Sequence, residues 1–404
     1  MSTTSLIYHA FGVRGYRIRR TGYVGGEVQF SIEQPASRLR CSVCRSRRVI
    51  RRGGRTRRFR GLPIGPRGVW IVFRVPRLEC KHCGAVRQAE ISFAPGQHSY
   101  TKRFARYVVE LAGCMTMWDV AQHLGVSWNV VKDLLKEALR RRFRHPRLKD
   151  LRLLAIDEIS IGGGQRYLTV VLDLETGAVV FIGVGKGAEA LEPFWRRLRR
   201  SRARIEAVAI DMSQAYINAV RSHLPAATLV FDHFHVVKLM NDKLSDLRRE
   251  LQRKAEAEAK AVLKGTRWLL LKNPKNLDGT KNEAEHLKAA LELNAPLAAA
   301  YYLKEDLRQL WSQPDKESAA FFLEGWIDRA RATGIRQLIQ MSNTLSIHRH
   351  GLLAYYDVPI STGPLEGTNN KIKTLQRQAY GYRDQEFFRL RIFALHQTRY
   401  ELVG

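Results

Sequence analysis

The stretch from Leu151 to Leu174, LRLLAIDEISIGGGQRYLTVVLDL, constrains the chain more than any other. Leu153, Leu154, Ala155 and Ile156 run without a polar break, the pattern of a strand buried on both faces. Asp157 follows at once. An ionised carboxylate where a buried strand leaves the core must be paired, hydrogen-bonded or metal-bound, because isolation in low dielectric costs several kcal/mol. An Asp that merely starts a turn is the plain alternative. The Gly162–Gly164 turn then leads into a second strand, Tyr167–Asp173.

Two further carboxylates repeat this setting. Asp211 closes the run Ile205-Glu206-Ala207-Val208-Ala209-Ile210 and opens MSQAYINAV, a strand followed by a helix for which it could be only an N-cap. Glu366 lies in STGPLEGTNNKIKTLQRQAYGYRD, where Pro364 suits a first helical turn and Gly381 a C-terminal stop. At about 100° per residue Glu366, Asn370, Lys373 and Arg377 share one stripe, and Ile372, Leu375 and Ala379 the opposite one. Burying the aliphatic stripe presents an acid together with polar and basic groups, with Lys371 beside them.

In their order, the three blocks resemble the DDE triad of ribonuclease H-like transposases: Asp after a first strand, Asp after a fourth, Glu on a late helix. The phrases AIDEISIGG, AIDMSQAY, FDHFHVVK and STGPLEGTNNKIKTLQRQAYGYRD are similar to bacterial insertion-sequence transposases of the ISL3 family, along nearly the whole chain. The block around Glu366 is the most specific part of the likeness. The resemblance implies an α/β, ribonuclease H-like core with an inserted all-helical domain, and two Mg²⁺ ions, replaceable by Mn²⁺. Asp157 would bridge both ions, Asp211 bind one and Glu366 the other. Asp232 and His235 match a (C/D)-x-x-H signature found in a subset of such enzymes, which places them near the metals. The implied reactions are cleavage at terminal inverted repeats and transfer of the freed 3′-hydroxyl to target DNA, by a homodimer or larger assembly.

Charge gives an independent bound. Residues 1–150 hold 31 Lys and Arg against 9 Asp and Glu, whereas the other 254 hold 37 against 29, within a formal net charge of +30. The amino-terminal third is therefore the main electrostatic footprint for a polyanion, above all the Arg-dense run Arg45–Arg60. No apolar run approaches the roughly 18 residues of a membrane span, and the first residues lack the apolar core of a signal peptide. The expected location is the cytoplasm, on the nucleoid, where thiols stay reduced.

In such a compartment Cys41-x-x-Cys44 and Cys80-x-x-Cys83, four of the five cysteines, read as a Cys₄ site for one structural Zn²⁺ rather than as disulfides or unrelated thiols. A strand-rich ribbon including Trp70–Val75 should join the pairs, with residues 1–35 forming short strands turned at Gly22, Gly25 and Gly26. His82 should face solvent, and Cys114 should be a core residue of a helix.

Residues 102–143 turn helical. KRFARYVVELAGC, MTMWDVAQHL and, after Gly125, SWNVVKDLLKEALRRRF with Ser127 as N-cap give the helix-turn-helix pattern. Val130, Val131, Leu134, Leu135 and Ala138 should point inward, leaving Asn129, Lys132, Asp133, Lys136 and Arg140 toward a DNA groove. Packing of three helices without DNA is the alternative.

Beyond His145-Pro146 the spacing predicts strands Ala178–Val184 and Thr228–Phe231 and helices Glu189–Arg200 and Gln214–Leu224. From Leu239 to Ser346 the pattern is helical, with Leu244, Leu247 and Leu251 in register and Trp268, Trp311 and Trp326 expected in the core. The expected division is 1–100 zinc-binding, 101–145 helix-turn-helix, 150–238 and 347–404 ribonuclease H-like core, and 239–346 helical insertion. A regulator built on the zinc ribbon and helix-turn-helix, or a nuclease without strand transfer, are the competing functions.

Overall fold

A computed structural model describes residues 6–162, 166–256, 260 and 262–397, so Gly163 and Gly164 of the expected turn lie outside the described residues. The chain divides into two compact units, one ending at Arg144 and the other spanning His145–Gln397.

The first unit opens with α1 (Leu6–Phe11), where a strand was expected. Ile7 and Phe11, one helical turn apart, are both buried, and this i, i+4 pair outweighs the strand-like composition of the segment. Strands β1 (Arg17–Val24), β2 (Glu27–Glu33), β3 (Val49–Ile64), β4 (Arg67–Cys80) and β5 (Val86–Gln88) form one sheet in the order β1-β2-β4-β3, with β5 on β4. Gly25 and Gly26, at φ +59° and +78°, make the β1–β2 turn. Gly22 instead lies inside β1, opposite Gln29. Alternate residues Val28, Phe30 and Ile32 on β2 and Val69, Ile71, Phe73 and Val75 on β4 are buried, the period of a sheet with one covered face.

Three helices complete the unit: α2 (Lys102–Leu111), α3 (Met117–Leu124) and α4 (Trp128–Phe143). Thr101 and Thr116 cap α2 and α3 by accepting from the backbone N–H of Phe104 and Asp119, and Gly125 ends α3 in the left-handed region. Ser127 stands at the N-cap of α4 without a side-chain bond. Cys114, expected in the core, falls in the turn between α2 and α3 and is exposed.

The second unit is built on β6 (Leu153–Ser160), β7 (Tyr167–Asp173), β8 (Val179–Val184), β9 (Ala207–Ile210) and β10 (Thr228–Phe231), in the order β10-β9-β6-β7-β8. β6, β7 and β8 run antiparallel, while β9 and β10 lie parallel to β6. This strand order is the ribonuclease H-like fold. Helices α5 (Glu192–Ser201) and α6 (Gln214–His223) cover one face through Phe194, Trp195, Tyr216 and Ile217.

After β10 come α7 (His233–Lys254), α8 (Arg267–Leu271), α9 (Glu283–Glu292), α10 (Ala295–Leu307), α11 (Lys316–Ala332), α12 (Arg336–Ile347) and α13 (Arg349–Leu353), with no strand among the described residues. Trp326 is fully buried and Trp311 packs partly on that core, but Trp268 is 65% exposed, against expectation. α14 (Gly363–Gln378) and α15 (Gln385–Phe393) then return to the sheet, where Leu365, Ile372, Leu375 and Phe388 pack on Ala155, Ile159, Val170 and Leu172. No described helix is long and apolar enough to cross a membrane.

Candidate metal centres and nucleic-acid surfaces

Alternation along β6 decides which side chains can meet. Ala155 and Ile159 face α14 and Ile156 faces α5 and α6, so Asp157 points toward α14 and Glu158 toward α6. Glu158 accordingly accepts a hydrogen bond from the Tyr216 hydroxyl at 2.7 Å. Asp157 lies three residues before the end of β6 rather than at its end, but the parallel pairing with β9 stops at Ala155–Ala209. Carried two residues further, that register brings Asp211 level with Asp157. Asp232 joins them by leaving β10 with its backbone N–H on the Ile210 carbonyl at 3.0 Å. Three carboxylates thus stand at the carboxyl edge of three parallel strands, where ligands gather in open α/β sheets.

Asp232 is the structural hinge of the group. Its side chain is fully buried and caps α7 by accepting from the His235 N–H, while its Oδ2 meets His235 Nδ1 at 3.0 Å. Its Oδ1 accepts from the Thr362 N–H at 3.1 Å, 130 residues away, immediately before α14. Burial alone would raise this carboxyl, but hydrogen bonds from His235 and Thr362 outweigh it and hold the group ionised below its ordinary range. The same bond raises His235, against its own desolvation, with the charges of Asp157 and Asp211 acting in the same direction. His235 Nε2 lies 3.9 Å from Asp157 Oδ1.

From the other side, Asn369 Nδ2 donates to Asp157 Oδ2 at 2.9 Å. Burial pushes the Asp157 carboxyl up, and the charges of Asp211 and Glu158 add to the rise. Glu366, one turn before Asn369 on α14, is exposed. Among the described residues only the four cysteines bring three or more ligand atoms within 4.8 Å of one another, so Asp157, Asp211 and Glu366 do not close around one point.

Does this donor set fit a divalent ion? Oxygen donors suit a hard divalent cation such as Mg²⁺. Asn369 Oδ1, buried beside Asp157 without a hydrogen-bond partner, is a further hard donor at the same place. The group fits.

The cysteines form a tighter centre. Cys41 Sγ and Cys83 Sγ are 3.7 Å apart and Cys44 Sγ and Cys80 Sγ 3.6 Å, close to the ~3.8 Å edge of a tetrahedron with 2.3 Å Zn–S bonds. Each pair forms the same knuckle: Val43 N–H and His82 N–H point at Cys41 and Cys80 sulfur at 3.4 Å, and Arg45 and Gly84 follow at φ +63° and +70°. Backbone N–H groups of Cys83 and then His82 draw the Cys80 thiol down to about 6. His82 is exposed, as expected.

In α4, Val131 and Leu135 are buried and Val130, Leu134 and Ala138 half-buried, leaving Asn129 and Asp133 exposed and Lys132, Lys136 and Arg140 partly so. Arg140 pairs with Glu137, and Lys132 lies over the ring of Trp128, a half-exposed residue that sequence reasoning missed. On α14, Asn370, Lys371, Lys373 and Arg377 are all exposed and Ile372 and Leu375 buried, as the stripe required. Asn369, Thr362 and Gln376 were also missed. Leu365, Asn369, Ile372 and Gln376 follow an i, i+4, i+7, i+11 row, so two polar residues interrupting a buried stripe were the available signal.

Comparison with known proteins gives concordant matches. A DDE family model of the ISL3 group, described as a transposase, matches residues 154–392. The helix-turn-helix domain of transposase family ISL3 matches residues 89–139, and the zinc-finger of transposases IS204/IS1001/IS1096/IS1165 matches 37–83. The chain is 34% identical over 392 residues to the transposase for insertion sequence element IS1001 of Bordetella parapertussis, covering 95% of this chain and 96% of that one. It is 29% identical to the transposase for IS1557 of Mycobacterium tuberculosis, covering 90% and 87%. Among solved structures, the Drosophila P element transposase strand transfer complex aligns over 76% of this chain and 94% of that one, with a TM-score of 0.40 and 12% identity.

Proposed function

Because the chain belongs to the ISL3 family of insertion-sequence transposases, we propose that it binds the terminal inverted repeats of its element. At Asp157, Asp211 and Glu366 it then carries out Mg²⁺-dependent strand cleavage and strand transfer. The observation that carries this reading is the level placement of Asp157 and Asp211 at the open strand edge, with the Glu366 helix fastened over them from both sides by Asp232 and Asn369.

Two divalent ions, when bound, make the attacking hydroxyl a better nucleophile and neutralise charge on the phosphoryl oxygens. Asp157, raised by burial and like charge, is the carboxylate with most to gain from a bound cation and would help hold both ions. Asp211 and Glu366, the latter exposed on α14, would each help hold one. His235, held by Asp232, keeps an imidazole that can carry positive charge 3.9 Å from Asp157. Exposed Asn370, Lys371, Lys373 and Arg377 extend the Glu366 face into a track for phosphates. Asn129, Lys132, Lys136 and Arg140 on α4 are the proposed repeat readers.

A labelled repeat end incubated with Mg²⁺ tests the reading. Asp157→Asn, Asp211→Asn and Glu366→Gln should each lower nicking on the order of 10³-fold, since each removes a charge worth several kcal/mol to the transition state. Double variants should be little worse than single ones, because the three act as a unit. Wild-type rates in all three variants would remove this mechanism.

A further inference from the structure

We propose that the open groove at the carboxyl end of α14 is a nucleobase-stacking subsite, with Tyr380 as its platform, that takes one unpaired base of the DNA strand held at Asp157. This rests on the function proposed above and adds a site to it. The groove, about 640 Å³, is lined by Ser160, Lys373, Gln376, Arg377, Tyr380 and Gly381.

Tyr380 is wholly exposed, at 101%, and its backbone sits at φ +50°. A bulky residue in the left-handed region is an outlier that carries a conformational cost, and a ring entirely in water returns nothing to folding. Glycine would serve this turn better. Such a conflict between local conformation and residue type, unrelieved by packing, is characteristic of a functional position.

The turn is also rigid. Tyr380 N–H donates to the Arg377 carbonyl at 3.0 Å and Gly381 N–H to the Gln376 carbonyl at 2.9 Å. Gln376 Nε2 in turn donates to the Ile161 carbonyl, tying the end of the helix to the exit of β6. The ring is therefore presented on a fixed support, which lowers the entropic cost of stacking.

Charge complementarity selects the occupant. Lys373 and Arg377 line the same groove and are exposed, so a ligand bearing phosphates and a flat apolar face matches both features. Every base has such a face, and cations along the backbone with an aromatic platform are the chemistry of single-strand binding. Asn369, at Asp157, and Gln378, the last helical residue, are nine positions apart, roughly 14 Å. A DNA strand crosses that span in a few nucleotides, so the captured base lies a few nucleotides from the scissile phosphate.

The test uses the full chain and repeat-end duplexes carrying 2-aminopurine at successive positions, with Ca²⁺ in place of Mg²⁺ to prevent cleavage. Wild-type protein should change the fluorescence at one position a few nucleotides from the cut, and Tyr380→Gly should not. With Mg²⁺, Tyr380→Gly and Tyr380→Ala should nick about ten-fold more slowly, whereas Tyr380→Phe and Tyr380→Trp stay within about two-fold of wild type. A mismatch at the captured position should restore most of the rate of Tyr380→Ala. Tyr380→Gly relieves the backbone conformation, so misfolding cannot explain its loss. Wild-type nicking by Tyr380→Gly with no position-specific fluorescence change overturns the subsite, as does a loss of self-association alone, which would make the ring a protein contact. Failure of wild-type protein to nick strikes the carboxylate mechanism instead, and the fluorescence arm still decides the subsite.

Discussion

The cysteine centre and the carboxylate centre differ in how completely the fold assembles them. Four sulfurs already lie within 4.8 Å of one another, as the corners of a tetrahedron would, each pair fixed by the same backbone knuckle, before any ion is considered. The carboxylates share a strand edge but do not converge within 4.8 Å, and Glu366 stays exposed. Four thiolates on one Zn²⁺ would leave no coordination position for a substrate. The carboxylates, on the function proposed above, would leave room for ions and a phosphodiester. A metal that holds a fold and a metal that does chemistry thus ask opposite things of their ligands.

The largest effect that would break this contrast is on folding. Zinc analysis of the full chain should find about one ion per molecule, and Cys80→Ser or strong chelation should unfold the first unit, since Zn²⁺ binding in such sites is worth on the order of 10 kcal/mol. Asp157→Asn should leave thermal stability unchanged or raised, because it removes a partly buried charge that burial and Asp211 already disfavour. Zinc-free protein with an intact first unit would erase the distinction.

A smaller effect probes what fastens the looser centre. Asp232→Ala strips the N-cap of α7, the partner of His235 and the acceptor of Thr362 N–H together. Bonds to a buried ionised group place the cost at about 2–3 kcal/mol, read as a lower melting temperature, together with slower nicking. Asp232→Asn keeps an acceptor for Thr362 and should recover part of the stability but less of the activity. Equal stability of both variants with wild type would show that α14 is held elsewhere.

Asn369→Ala should cost less again, about ten-fold in nicking with repeat binding unchanged, by releasing the 2.9 Å bond that orients Asp157. Asn369→Asp places another acid against Asp157 and should be worse at low Mg²⁺, with part of the loss recovered at higher metal concentration. If raising Mg²⁺ rescues neither variant, Asn369 supports the helix rather than the ions.

Legibility followed locality. Cys-x-x-Cys spacing, the apolar run before Asp157 and the α14 stripe are short-range patterns, so the cysteine cluster, the buried strand and the helix faces could be read directly. The Asp232–Thr362 and Asp157–Asn369 bonds join positions 130 and 212 apart, and nothing in either segment alone requires its partner. Misreadings came where composition resembled another setting: Leu6–Phe11 suits a strand by residue type but is fixed as a helix by Ile7 and Phe11, while Cys114 and Trp268 are apolar residues left at the surface. Hydrophobicity predicts what can be buried and leaves open which copy of it is.

The smallest effects separate reading DNA from holding it. Lys373, exposed on the Glu366 helix, can meet a phosphate but carries no sequence information, so Lys373→Ala should weaken binding a few-fold on repeat and random DNA alike. The slope of log K against log salt should fall by about 0.9, one released counterion. Asn129, exposed at the start of α4, can contact a base edge, so Asn129→Ala should leave the slope unchanged and cost about 1 kcal/mol of discrimination at one base pair of the repeat. Competition titrations of full-length variants at several salt concentrations measure both quantities at once. Should Asn129→Ala lower the slope and weaken both DNAs equally, α4 is a backbone clamp and the repeat is read from another surface.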